Sequence, residues 1–132
     1  DTVVRRSDLV YPELSYQVVG VLFEVFDKLG YQYKEIHYQR AIELLLKKLN
    51  IGFVAQAPFV ITFENEIIGR YYFDFLIDGK LVLEIKRGDR FSRDDIQQVI
   101  NYLKAKNLQL GILARFSSKG LKTKRILNIS NS

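Results

Sequence analysis

Cysteine is absent from the 132 residues, and histidine occurs once, at His37. The first absence excludes disulfides, thiolate zinc sites and cysteine nucleophiles, and it fits a reducing, cytoplasmic setting. The second excludes multi-histidine metal sites. Any bound metal must then be held mainly by oxygen, which points to Mg²⁺ or Mn²⁺. No apolar run approaches the roughly 20 residues of a membrane span. The opening stretch DTVVRRSDLVYPEL lacks a signal peptide's apolar core, so no membrane partner is expected. Methionine is also absent, an initiator included, and a processed or trimmed chain is expected. Internal repeats and low-complexity linkers are missing, which leaves one domain over residues 1–132.

What is present suffices for one real core. Apolar residues make up 48% of the chain, with Leu, Ile, Val, Phe and Tyr all plentiful. The formal net charge of +5 suits a polyanionic partner. PELSYQVVGVLFEVFDKLG carries Leu14, Val18, Val21, Leu22, Val25 and Leu29 at three-to-four spacing. That spacing predicts an amphipathic helix entered at Pro12 and ended at Gly30. KEIHYQRAIELLLKKLN predicts a second helix, with Ile42, Leu45, Leu46 and Leu49 as its stripe. The composition then turns β-branched and aromatic. Asn65, Gly69 and Asp78-Gly79 divide it into three strands at about 53–63, 67–77 and 80–86, joined as a meander. A third helix follows, with Ser92 as N-cap, Asp94 and Asp95 in its first turn, and Ile96, Val99, Ile100 and Leu103 buried. LQLGILARF predicts a last buried strand, and SSKGLKTKRILNISNS a basic tail at about 117–132. The order is that of an α/β sandwich, one mixed sheet flanked by helices.

Asp74, Glu84 and Lys86 lie inside the second and third strands, where apolar runs usually carry no charge. Alternation puts Val82, Glu84 and Lys86 on one face of the third strand, and Tyr72, Asp74 and Leu76 on one face of the second. Whether those faces coincide depends on the turn. A two-residue loop at Asp78-Gly79 would pair Asp74 with Leu83 and set the acids on opposite sides. A three-residue loop with Gly79 in the left-handed region, or a bulge, would bring them together. The turn residues leave both registers open, and burial breaks the tie. Leu81, Leu83 and Ile85 fill the other face, where an unpaired polar group costs roughly 2–7 kcal/mol. On a shared face, the two carboxylates and the Ile85 carbonyl are suitable hard ligands for Mg²⁺, with positions left for water and phosphate. Lys86 would then orient or deprotonate the attacking water, or offset charge on the phosphate. The plain alternative is a surface ion pair of Glu84 and Lys86, worth little.

Asp74, nine intervening residues, then Glu84-x-Lys86 across a hairpin resembles the PD-(D/E)XK nuclease superfamily, with Phe73 where a Pro usually precedes the Asp. The resemblance implies a restriction-endonuclease-like core, αβββαβ, here with an extra N-terminal helix and spanning about 13–127. QVINY, from Gln98 to Tyr102, is similar to the Gln-x-x-x-Tyr helix motif of RecB-like members. Helix geometry stacks those two residues one turn apart, off the buried stripe. Upstream, Gly20, Glu24, Leu29, Gly30, Glu35 and Tyr38 resemble the signature of the bacterial and archaeal GxxExxY proteins. Gln32 stands where the naming Gly belongs, and Phe26 replaces a usual His. These resemblances imply a Mg²⁺- or Mn²⁺-dependent phosphodiesterase. Asp74, Glu84, Lys86, Gln98 and Glu35 form its catalytic set, and Glu35 helps to hold metal-bound water. Glu24 is a second candidate acid, better explained as an exposed helix residue. His37 is assigned no role.

Phosphodiester hydrolysis also needs cations for the nucleic-acid backbone. Lys86, Arg87 and Arg90 lie at the expected edge of the site, and Tyr102 would flank the substrate. Arg115, Lys119, Lys122, Lys124 and Arg125 form a basic run after the last strand, for which sequence-independent phosphate contacts are expected. DNA is the expected partner; a homodimer or a partner protein stays open. Two readings compete with the nuclease: a nucleic-acid-binding module without turnover, and a small partner subunit of a larger DNA-processing or defence complex. Paired acids beside DNA repel phosphate unless a metal intervenes, which favours the nuclease.

Overall fold

The computed structural model describes residues 10–128; the start of the opening stretch (1–9) and the end of the expected tail (129–132) lie outside them. Helices α1 (Pro12–Leu29) and α2 (Glu35–Lys48) precede strands β1 (Phe53–Phe63), β2 (Glu66–Ile77) and β3 (Leu81–Arg87). Helix α3 (Arg93–Lys106) then leads to β4 (Leu110–Ser117) and β5 (Gly120–Leu127). Pro12 opens α1, where its missing N–H has no helical partner to lose, and Gly30 closes it with φ 74°, a positive angle that glycine takes without a Cβ penalty. Ser92 caps α3, its Oγ accepting from Asp95 N–H at 2.9 Å. No helix among the described residues is long and apolar enough to cross a membrane.

The strands lie in the order β1-β2-β3-β4-β5 in one sheet. The first three form an antiparallel meander. β4 runs parallel to β3, which the α3 crossover permits, and β5 returns antiparallel to β4. β5 corrects the expected tail: residues 120–127 are an edge strand, paired from Ser117↔Gly120 to Leu110↔Leu127. Its apolar residues are only Leu121, Ile126 and Leu127, among three cations, so alternation does not mark it.

Helices α1 and α2 cover one face. Val18, Val21, Leu22 and Val25 pack with Tyr38, Ile42 and Leu46 over Phe75, Leu83, Ile85 and Ile112. Tyr38 is fully buried, stacks on Phe116 with ring centroids 4.2 Å apart, and donates its hydroxyl proton to the Gly30 carbonyl at 2.7 Å. That pins the α1–α2 connection to the sheet. Helix α3 covers the other face, with Val99, Tyr102 and Leu103 over Phe73, Val82 and Leu113. Gly111 marks the closest approach, since a Cβ there would lie 2.5 Å from Val99 Cγ1.

Tyr102 is a second correction. Expected off the buried stripe, it is 2% exposed, with its ring 4.5 Å from Phe73 and 5.3 Å from Phe59. The cause lies in the sheet. Phe73 and Phe75 are two apart and should share a face, yet Phe75 packs with α1 and α2, and Phe73 with α3. In β1 the same switch falls between Ala55 and Ala57, across Gln56, whose φ is 55°. Gln56 and Asp74 are skipped by the register on either side of them. The sheet is wrung at that point, and the wringing turns Phe59 and Phe73 toward α3, where they bury Tyr102.

Candidate active site

The β2–β3 turn decides where the acids fall. Asp78 and Gly79 have φ of 54° and 65°, and Lys80 N–H closes the turn on the Ile77 carbonyl at 3.0 Å. Lys80 is then an extra residue, so Ile77 faces Leu81 and Phe75 faces Leu83. Continuing that register sets Asp74 opposite Glu84. The backbone ladder stops there. Asp74 N–H donates to Glu84 Oε1 at 2.9 Å, and Ile85 N–H donates to Asp74 Oδ2 at 2.7 Å. Side chains have taken the place of carbonyls, and the strands part around two buried carboxylates, 8% and 4% exposed.

The outer oxygens are also engaged. Gln39 Nε2 donates to Asp74 Oδ1, and the Tyr71 hydroxyl to Glu84 Oε2, each at 2.6 Å. Burial pushes Glu84 up from 4.5 to about 7, and the charge of Asp74 adds to the rise. Burial likewise raises Asp74; the Ile85 amide opposes it, and the Glu35 charge reinforces it. Burial and the bond to Glu84 push Tyr71 far above its ordinary range, so it remains a phenol and a donor.

Lys86 Nζ lies 3.9 Å from Glu84 Oε2 and 3.7 Å from Asp95 Oδ1. Asp95 also holds Arg115, whose Nη2 donates to Oδ2 at 3.0 Å while Nη1 donates to the Arg87 carbonyl at 2.8 Å. Arg115 is therefore corrected from a surface phosphate contact to an internal brace: it is buried in β4, and its guanidinium lies 5.5 Å from the Phe91 ring centre. Glu35 opens α2 and accepts from Arg87 N–H at 3.3 Å.

The Gln98–Tyr102 pair is divided between solvent and core. Gln98 is exposed, and among the described residues no hydrogen bond joins it to either acid. Tyr102 packs inside and does not stand free to flank a substrate. The basic run is divided too. Lys122 and Lys124 are exposed, and Lys119 sits in the β4–β5 turn, 4.0 Å from Asp89. Arg125 instead turns to α1 and donates to the buried Ser15 hydroxyl. Arg87 and Arg90 are exposed near the end of β3. Glu24 pairs with Lys28 at 2.9 Å on the open side of α1. His37 Nδ1 accepts from Lys34 N–H at 3.3 Å.

Gln39, Tyr71 and Asp95 escaped the reading of the sequence. Gln39 follows Glu35 by one helical turn, a spacing that could have marked it. Asp95 reads as an ordinary first-turn acid of α3. Tyr71 carries no sequence signal, because its reach to Glu84 depends on the wrung sheet.

Among the described residues, no group of three or more His, Asp or Glu side chains is drawn together as a metal cage. Two adjacent carboxylates nonetheless suit a hard divalent ion that keeps most of its water. In a strand, a residue's N–H and C=O point to the same side. The Ile85 amide points at Asp74, and regular strand geometry would turn its carbonyl to the same side.

No curated protein matches the chain. Among solved structures, one described as the crystal structure of SSO0001 is similar with a TM-score of 0.53 at 17% identity. The match takes in 96% of this chain and 61% of that one, and the likeness is one of fold. A model of the PD-(D/E)XK nuclease superfamily matches residues 12–126, from the first residue of α1 almost to the end of β5, and the chain belongs to that superfamily.

Proposed function

We propose that this chain is a divalent-metal-dependent nuclease that hydrolyses phosphodiester bonds in DNA, with Mg²⁺ or Mn²⁺ held by Asp74, Glu84 and the Ile85 carbonyl. One observation carries the reading: two buried acids face each other where β2 and β3 part, both resisting ionisation. Removing one proton from such a pair leaves a charge that a cation would offset. A bound metal would polarise the phosphate and lower the pKa of the attacking water. The chain's own residues supply the rest. Gln39 and Tyr71 would each steady one carboxylate oxygen, which keeps a further lone pair with which to accept a metal. Lys86, 3.9 Å from Glu84 Oε2, would hold a water or a phosphate oxygen there. Glu35 would act through water, and Gln98 from α3 on a tightened, substrate-bound site. Arg87, Arg90, Lys119, Lys122 and Lys124 would hold backbone phosphates.

Within the superfamily we place the chain among the GxxExxY proteins, acting in the cytoplasm. The Tyr38–Gly30 bond supports this, because through it two signature residues together present Glu35 at the start of α2. A second reading, a binding module without turnover, is favoured by a different observation. All four carboxylate oxygens already accept a hydrogen bond from the protein. Cleavage of labelled DNA in Mg²⁺ against EDTA, with Lys86→Ala as control, separates the two. Cleavage confined to Mg²⁺ and lost in Lys86→Ala, with binding kept, supports the nuclease. Binding without metal-dependent cleavage supports the module.

A further inference from the structure

The α1–α2 connection carries an aromatic surface beside the acids. Tyr31 is 39% exposed and Tyr33 46%, yet neither hangs loose. The Tyr33 ring stands nearly perpendicular to His37 at 5.7 Å and to the buried Tyr38 at 6.4 Å. Its backbone N–H donates to the Tyr38 hydroxyl at 3.3 Å. Two perpendicular neighbours hold the ring while almost half of the residue stays open to solvent. Tyr31 is tied through its carbonyl, which accepts from Arg87 Nη2 at 2.8 Å.

The same segment reaches the site by two routes. Arg87 follows Lys86 in β3 and donates its own amide to Glu35. Gln39, one turn further along α2, donates to Asp74. Lys34, Arg40 and Arg87 are all exposed, and among the described residues none forms an ion pair with an acidic side chain.

Held rings beside cations that no acidic side chain neutralises match one ligand chemistry. A single strand offers phosphates to the cations and unstacked bases to the rings, whereas a duplex keeps its bases stacked within itself. We propose that residues 31–40, together with Arg87, form a stacking site for single-stranded nucleic acid, with Tyr33 as its principal ring, leading that strand to Asp74 and Glu84. In naming the substrate class this rests on the nuclease reading, but the binding itself is separable from turnover.

Fluorescence anisotropy in EDTA, with a labelled oligo(dT) and a duplex of equal length, tests it. Tyr33→Ala should weaken oligo(dT) binding roughly tenfold and duplex binding less than twofold. Tyr33→Phe should bind as the unaltered protein does, because stacking needs the ring and not the hydroxyl. Tyr31→Ala repeats the test at a separate ring, and melting curves exclude unfolding as the cause. Selective loss with no cleavage in Mg²⁺ would sink the nuclease reading and leave the stacking site supported. Equal losses on both probes, or none, would overturn the stacking site whatever the cleavage result, and leave the aromatic surface to a protein partner.

Discussion

Asp74 and Glu84 are joined through the backbone as well as across the sheet. The Asp74 amide donates to Glu84 Oε1 at 2.9 Å, and the residue after Glu84 returns the contact, Ile85 N–H donating to Asp74 Oδ2 at 2.7 Å. Each acid replaces a ladder carbonyl, so the parting of the strands and the placing of the acids are one event. Asn or Gln at these positions can still accept from the amides. Ala would leave a buried N–H unpaired, at a cost of about 1–3 kcal/mol.

The raised acids make metal-free stability depend on pH in a stated direction. The Glu84 carboxyl titrates near 4.5 when unfolded and at about 7 when folded, so the folded state binds the extra proton between those values. Its contribution is fully present below pH 4.5 and is lost as pH rises through 7. The loss should amount to roughly 3 kcal/mol at most. Glu84→Gln should flatten this slope and melt higher than the unaltered protein in EDTA at pH 8. A steeper slope, or a lower melting temperature for Glu84→Gln at pH 8, would contradict it.

Asp95 should matter to stability as much as to the site. Arg115 is buried, and its Nε has no hydrogen-bond partner among the described residues. Removing Asp95 would leave that guanidinium with the Arg87 carbonyl alone. Asp95→Ala should cost about 2–4 kcal/mol, and Arg115→Met added to it should recover part of the loss. Thermal melts of the two single variants and the double give the comparison; additive losses would contradict it.

The cations of β5 should divide by direction. Lys122→Ala with Lys124→Ala should weaken binding to unrelated DNA sequences alike, and flatten the salt dependence by about one unit of slope per contact. Arg125→Ala should leave that slope unchanged and lower the melting temperature, because its partner is Ser15 of α1. An Arg125→Ala variant with the flatter slope and an unchanged melt would reverse this assignment.

Tyr102 should behave as a core residue. Tyr102→Ala should lose about 3–5 kcal/mol through the cavity beside Phe59 and Phe73. Tyr102→Phe should be close to neutral in melting and in turnover, since among the described residues nothing hydrogen-bonds the hydroxyl. Gln98→Ala should leave the melt unchanged and reduce turnover. Full turnover in Gln98→Ala would remove it from the catalytic set.

The helices, the meander and the crossover were legible because LVLEIKR alternates and the helical stripes repeat every three or four residues. The turn residues alone leave the meeting of Asp74 with Glu84 as one of two registers, and the apolar face of Leu81, Leu83 and Ile85 is what made the right one legible. One extra residue, Lys80, sets that register in the structure. Spacing misplaced Tyr102 because Phe73 and Phe75 turn to opposite faces around Gln56 and Asp74. Arg115 looked like surface charge because the acid that buries it, Asp95, lies on another element and reads as a helix-start residue. The β5 strand was hidden by its charge: it needs β4 beside it to bury Leu121 and Ile126.

Anomalous diffraction from crystals soaked in Mn²⁺ tests the central claim most directly. A peak is expected between Asp74 and Glu84, within roughly 2.0–2.4 Å of one oxygen from each and of the Ile85 carbonyl, absent in Asp74→Asn. Millimolar Mn²⁺ with no peak, and all four carboxylate oxygens still on Gln39, Tyr71, Asp74 N–H and Ile85 N–H, would contradict it.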